Sequence, residues 1–537
     1  MNRVRVGCRR EAVLITLILI GALGIRLLGV HRGLPYIHEW DEPFVLTPVM
    51  RMFLFRTLNP GFFVYPSLYY YLLLPVMYLH YAYLHLRGVI PSTDDIILAH
   101  PQMLAGYGWY ISYPSFYLWA RAFTALLGAA TVYLTYRIGK ATFGAGVGLL
   151  AAALLAAAPG AVYYADTVRV DIPMTFFLTA AVLAGLAVLE RGWLRDYLLA
   201  GLLGGLAIST KQTAVWIVPA LAIAHALNRG RRSLIDLRLG AMALCVVAGF
   251  IAGTPYILIR PDQVTAGFIQ GTHAYGMLTV PAIKSVAALL VHNLAYFVYP
   301  TQGGDWYAVP HTGLGLLPGL AAAGGVIAGF AWNPRAQCYL VSFPVLLLMF
   351  ISSVQVFYVR NLMPVLPFIA LLAAVGSAWG WRRLQGAWPI RHGAWRVVLV
   401  GIGIAVLLGE PVRDSLALGW WFARHQDTRV EAVRWVLQHA PRGAAVAFEL
   451  ELAWFLPTLD HLPYRVEFTT RDTALSWYAK ERIDWAVVSD KNPLSRPPAV
   501  VFTRPPYLPS PAEEATFIPH SYPIIDPKIL IVKLGAP

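Results

Sequence analysis

The chain has 537 residues, 58% of them hydrophobic and only 13% charged, with a mean hydropathy of +0.58. A soluble domain typically carries about a quarter charged residues, so a soluble globular protein is excluded, and apolar tracts long enough to span a bilayer recur along the first 411 positions. The net charge of +14 falls largely on arginines in short loops between apolar tracts; this is the positive-inside pattern rather than a nucleic-acid footprint, and it also suits an anionic membrane component as substrate.

Arg3, Arg5, Arg9 and Arg10 precede the first apolar run, 12–30, and place the N-terminus in the cytoplasm. The run is long and has no small-residue cleavage site, so it reads as an uncleaved first span. The acidic stretch YIHEWDEPF then emerges on the outer face and opens a loop of about 31–115. Within that loop, YPSLYYYLLLPVMYLHYAYLHL is rich in Tyr and His and reads as a helix lying in the interface, with a short pair of spans as the alternative.

Further spans are expected near 116–137, 143–160 and 172–189, then one on each side of STKQT (209–213), then near 239–258. Segment 259–311 reads as one outer loop with an amphipathic helix, because counting it as a span would spoil the alternation of basic loops. Spans near 313–331, 338–353, 362–379 and 395–410 complete a total of about eleven, with the C-terminus outside.

From 412 the composition changes. DTRVEAVRWVLQHAPRG has Asp427/Thr428 as an N-cap, an apolar stripe of Val430, Val433 and Leu437, and Pro441 and Gly443 to end the helix. AAVAFE, IDWAVVSD and ILIVKL read as strands. The fold expected is mainly α: a polytopic membrane domain, 1–411, followed by a small extracytoplasmic α/β domain, 412–537. The three cysteines, Cys8, Cys245 and Cys338, form no disulfide framework in that second domain, and no Cys/His metal spacing occurs.

Charged residues at a membrane edge are costly unless they have a role. Asp41 and Glu42 follow the first span, Arg169 and Asp171 open the fourth, Lys211 interrupts the tract 197–227, and Arg360 opens the tenth. Each has a bland reading alone: solvated loop acids, an interfacial ion pair, a snorkelling lysine, a contact to lipid phosphate. Together they place carboxylates and cations from four parts of the sequence at one membrane face.

The order of these elements resembles the GT-C superfamily of polyprenyl-phosphate-sugar-dependent glycosyltransferases. Within it the chain is similar to the bacterial branch related to protein O-mannosyltransferases and the aminoarabinose transferase of lipid A. WDEPF stands where the family has an acidic pair, YPSLYYYLL where it has a proline-containing aromatic stretch, and VRVDIPMTFF where an Arg-x-Asp-x-Pro-like element opens a span. STKQTA supplies the span-pair lysine and YVRNLMPVLPF the late arginine with prolines. Tyr65-Pro66-Ser67 departs from the usual His-Pro-Pro.

The resemblance implies an inverting hexosyl- or pentosyltransferase acting on the outer face of a bacterial plasma membrane. Its donor would be a polyprenyl-phosphate-linked sugar; its acceptor would lie on a lipid, a polysaccharide or a protein. Other partners would be membrane lipids, with no nucleic acid. The phosphate leaving group needs cations, for which arginine's fork is suited: Arg360, with Lys211 or Arg169. The acceptor hydroxyl needs a base: Asp41, with Glu42 to orient it or hold the acceptor. Asp171, Tyr65 and Tyr358 are expected to contact sugar or acceptor. No cofactor is required, and a weakly bound divalent cation is compatible. The alternatives are a transporter or flippase of a lipid-linked sugar, a polysaccharide polymerase or ligase, and a non-catalytic scaffold.

Overall fold

The computed structural model describes residues 2–34, 37, 41–96, 98–99, 110–230, 236–277, 285–298, 313–353, 359–387, 393–449, 463–470, 473–489, 492, 494, 497–502 and 528–534. Helix α1 (Asn2–Leu27) covers the first expected span. The loop that follows holds α2 (Asp41–Leu54), α3 (Leu68–Leu86) and a short antiparallel pair, β1 (Leu98–Ala99) with β2 (Tyr110–Ile111). The aromatic stretch is thus one helix running through Pro75, not a pair of spans. It buries Tyr69, Tyr70, Leu73 and Met77 in a cluster with Val45, Val49 and Phe53 of α2. Burial also depresses His80, whose Nε2 lies 2.9 Å from Ser115 Oγ, to a pKa of about 4.

Helix α4 (Ser115–Phe143) leads to a bent pair, α5 (Ala145–Ala157) and α6 (Pro159–Tyr163), extended by a turn at Tyr164–Asp166. The expected straight span at 143–160 is instead bent by 63°. Pro159 causes the break, because it has no N–H for the Leu155 carbonyl four residues back. The freed carbonyls find other donors: Arg26 reaches Leu155 O (3.2 Å) and Ala156 O (3.1 Å), and Ser415 Oγ reaches Ala157 O (2.7 Å). A cation suits that position, since it meets the negative end of the α5 dipole.

Helix α7 (Asp171–Glu190) packs among α4, α8 (Leu194–Ile208) and α9 (Ile217–Arg229), the last two joined through a turn at Gln212–Trp216. Helix α10 (Leu237–Gly253) covers the next expected span and α11 (Tyr256–Ile259) follows it. Segment 259–311, expected to hold one amphipathic helix, has two among its described residues: α12 (Pro261–Met277) and α13 (Val286–Val298). The second is apolar and buries Leu289 and Phe297, with Asn293 bonded to Ser352 (3.1 Å).

The series continues with α14 (Leu316–Trp332), α15 (Pro334–Ser353), a 3-10 turn (Val359–Val365), α16 (Leu366–Ala387) and α17 (Gly393–Arg424). Among the described residues, five helices are long and apolar enough to cross a membrane, or six if the bent pair is one span; the other expected spans fall on shorter helices or on α1. The chain is a multi-pass membrane protein. Helix α17 runs without a break through 412, where the composition changes, and ends at Arg424. There Phe422 lies over the guanidinium of Arg32 (4.3 Å), and Ala423 O lies 3.3 Å from His31 Nε2.

Beyond it, α18 (Thr428–His439) begins at the expected cap, with Asp427 accepting from the Arg429 N–H (3.0 Å). Its buried stripe is Ala432 and Val436, beside Val430; Leu437, expected inside, is 46% exposed because the sheet meets the 432/436 face. The sheet has order β4-β3-β5-β7-β6. Strands β3 (Ala445–Glu449), β4 (Arg465–Thr469) and β5 (Trp485–Ser489) are parallel, and β6 (Val500–Phe502) and β7 (Ile529–Lys533) run antiparallel to their neighbours. Helix α18 covers one face; Tyr478, from α19 (Leu475–Lys480), and Ile483 cover the other.

Candidate active site

Asp41 is the first residue of α2 and Asp171 the first of α7. Acids are favoured at these ends, where main-chain N–H groups are unpaired and the helix dipole is positive. Arg169 sits two residues before α7, Lys211 caps the turn between α8 and α9, and Arg360 lies in the 3-10 turn before α16. The fold thus uses four helix starts to gather charges that the sequence keeps far apart.

Two ion-pair centres result. In the first, Asp41 Oδ2 lies 3.4 Å from Arg169 Nη1 and 3.4 Å from Arg360 Nε. Both arginines are buried, while the Asp41 side chain keeps 16% exposure. In the second, Lys211 Nζ donates to Asp171 Oδ1 (2.7 Å) and to Asn361 Oδ1 (2.8 Å). Lys211 therefore does not snorkel; it is buried on a carboxylate. The centres are joined by short backbone, since Arg169 is two residues from Asp171 and Arg360 adjoins Asn361.

Glu42 points elsewhere. Its side chain is fully buried, and Arg121 of α4 grips it with two bonds, Nε to Oε1 (2.7 Å) and Nη2 to Oε2 (2.6 Å). The Val168 N–H adds a third (2.9 Å). Arg121 Nη1 also donates to the carbonyls of Val30 (2.9 Å) and Arg32 (2.7 Å). This fork ties the exit of α1, the start of α2 and the segment carrying Arg169 into one rigid unit, and so fixes where Asp41 stands. Outside it, Arg32 pairs with Asp166 (3.4 Å).

The cluster brings Arg169 and Arg360 together on one carboxylate, Asp41, and two adjacent guanidiniums suit an anionic ligand. Tyr65 packs at the edge of the first-loop core. Tyr358 lies outside the described residues. Among the described residues, no group of three or more His, Cys, Asp or Glu is placed to hold a metal. Sequence reading missed Arg121 and Asn361. The signal for Arg121 was present: a lone arginine near the start of an otherwise apolar span.

Residues 117–257 match the family model for dolichyl-phosphate-mannose-protein mannosyltransferase. The matched segment is 141 of the 537 residues, and over it the chain is similar to that family. The matched segment carries four of the residues gathered here, Arg121, Arg169, Asp171 and Lys211. No curated protein matches the chain. Among solved structures, the chain is similar to the oligosaccharyltransferase AglB of Archaeoglobus fulgidus in complex with an inhibitory peptide and a dolichol-phosphate: 11% identity over 89% of this chain and 69% of that one, TM-score 0.48. It is also similar to ArnT of Cupriavidus metallidurans bound to undecaprenyl phosphate, at 13% identity over 89% and 93% of the two chains, TM-score 0.48. The S. cerevisiae Pmt1-Pmt2 complex bound to the sugar donor is 20% identical over 54% of this chain and 36% of that one, TM-score 0.32.

Proposed function

We propose that this chain is a glycosyltransferase of the GT-C type that moves a hexose or pentose from a polyprenyl-phosphate donor to an acceptor hydroxyl on a lipid, polysaccharide or protein. The reaction takes place at the outer face of a bacterial plasma membrane and inverts the anomeric carbon. The basic N-terminus, held inside, supports that orientation. The observation that carries the reading is Asp41 Oδ2 set between Arg169 and Arg360 at helix starts.

The phosphate of the donor binds the two guanidiniums, which neutralise the charge that develops as the sugar–phosphate bond breaks. Asp41 is held by the same two groups in the resting site. A donor phosphate competes for them, loosens their hold on the carboxylate and leaves it more basic once the donor is in place. The acceptor oxygen attacks the anomeric carbon, its proton passes to Asp41, and the polyprenyl phosphate departs with the bonding pair. Direct attack with one base gives inversion. Lys211 fixes Asp171 toward sugar hydroxyls and, through Asn361, steadies the segment carrying Arg360. Glu42 and Arg121 are positioning residues. A weakly held divalent cation, were one bound at Asp41, would add positive charge beside the donor phosphate.

The test is transfer of radiolabel from polyprenyl-phosphate sugars by the protein reconstituted in liposomes with a membrane extract. Label moves into a new product with the native chain and stays on the lipid with Asp41→Asn and Arg360→Ala. Label that crosses the bilayer without leaving its lipid would make the protein a flippase.

A further inference from the structure

Beneath the charged cluster lies a polar feature that the transfer chemistry does not use. Arg26 is buried in α1. Its terminal nitrogens donate to carbonyls, Nη1 to Ala22 (2.9 Å) and Ala156 (3.1 Å) and Nη2 to Leu155 (3.2 Å). Of the three guanidinium nitrogens, Nε is the one that is buried and meets no acceptor on the described protein. Arg26 lines a cavity of about 20 Å³ together with Gly128, Thr131, Thr175 and Met363. Gly128 keeps this side of the guanidinium open, since a Cβ there would stand 3.2 Å from Nε. A space of about 10–15 Å³ or more suffices for one water.

The hydrogen-bond inventory of the walls decides what fits. Thr131 Oγ1 donates to Leu127 O (2.9 Å) and Thr175 Oγ1 to Asp171 O (2.7 Å). Both hydroxyl protons are used, so each threonine offers lone pairs only. The walls therefore present one donor and two acceptors. A halide would find one donor and two repelling oxygens. A metal ion would face a guanidinium. Water supplies one lone pair for Nε–H and two protons for the threonines, the three bonds typical of a buried water.

We infer that one water molecule is bound between Arg26, Thr131 and Thr175, joining α1, α4 and α7 one helical turn below the Lys211–Asp171 pair. It gives an acceptor to the Nε–H of the arginine that caps the broken end of α5, and it links that break to the first turn of α7.

The experiment uses the full chain in lipid nanodiscs. A cryo-EM map at a resolution that shows ordered waters should have one density peak within hydrogen-bond distance of Arg26 Nε, unchanged when bromide replaces chloride. No peak there, or a peak that strengthens with bromide, overturns the inference. A second arm compares Thr131→Val and Thr175→Val with Thr135→Val and Thr179→Val. The second pair loses the same kind of hydroxyl-to-carbonyl bond, to Thr131 O (2.9 Å) and Thr175 O (2.7 Å), away from the cavity. The cavity pair should lower the unfolding midpoint further than the control pair, and the double variant Thr131→Val/Thr175→Val should lose less than the two singles combined, since both act through one molecule. Equal losses in all four single variants would overturn it.

Discussion

At the end of the helix bundle, Glu42 and Asp41 are buried or half-buried among three arginines from three distant segments. In the C-terminal sheet, Glu449 is equally buried, yet it is held by near neighbours of one loop: the Ser489 N–H (3.0 Å), Ser489 Oγ (3.1 Å) and Asn492 Nδ2 (3.2 Å). The sheet's acid latches a loop at the ends of parallel strands, and its donors satisfy it. The bundle's acids are held by arginines of distant segments, and one of them keeps partial exposure. Burial alone marks neither; the chemistry is legible in the paired arginines and in the access left to Asp41.

The contrast is broken most directly at the exposed acid. Asp41→Asn should reduce transfer by about 10²–10⁴-fold while the amount of folded protein in the membrane is unchanged; transfer at the native rate would end its role as base. Arg121→Met should act on stability, because it leaves Glu42 as an uncompensated buried charge at a cost of about 3–5 kcal/mol. Thermal denaturation in nanodiscs measures this, and Arg121→Met/Glu42→Gln should recover part of the loss. Glu449→Gln should cost about 1–3 kcal/mol by leaving a donor of the Ser489–Asn492 loop unmet, with transfer per folded molecule unchanged; a fall in transfer would show that the sheet shares in the reaction.

A finer test is pH. Folding holds His80 at about 4, below its ordinary 6.5. The unfolded chain therefore takes up a proton first as pH falls, and this part of the stability, full above about 6.5, is lost between about 6.5 and 4. His80→Gln should flatten that slope in unfolding curves. The smallest effect is expected at Leu437→Gln on the exposed side of α18, within about 0.5 kcal/mol of the native chain.

Much of the site could be read from the sequence because charge inside apolar tracts is rare and expensive; that criterion alone picks out Lys211, Arg169 and Arg360. It could not separate Asp41 from Glu42. Neighbours on a helix point about 100° apart, and only the position of Arg121 decides which one faces inward. Strands β3, β5 and β7 carry strong apolar runs and were legible, whereas β6 has three residues and β4 begins with Arg465 and alternates charge. The length of α17 was hidden by Glu410, Arg413 and Asp414, which look like the end of a span. The helix continues because Arg413 pairs with Asp414 (2.7 Å) and Ser415 turns inward to Ala157.

That same helix is a rod of 32 residues, about 48 Å long at 1.5 Å per residue. Ser415 fastens it to the broken end of α5, and Phe422 rests on Arg32, whose carbonyl is gripped by the arginine that fixes Glu42. Measured from Ser415, the arm toward Gly393 is about 33 Å and the arm toward Arg424 about 13 Å. Glu410 adds a second tie, accepting from the Leu316 N–H (3.3 Å), so the helix is held five residues apart at Glu410 and Ser415, and its short arm carries that anchorage to the Arg32 contact, where the placement of Asp41 leaves least tolerance.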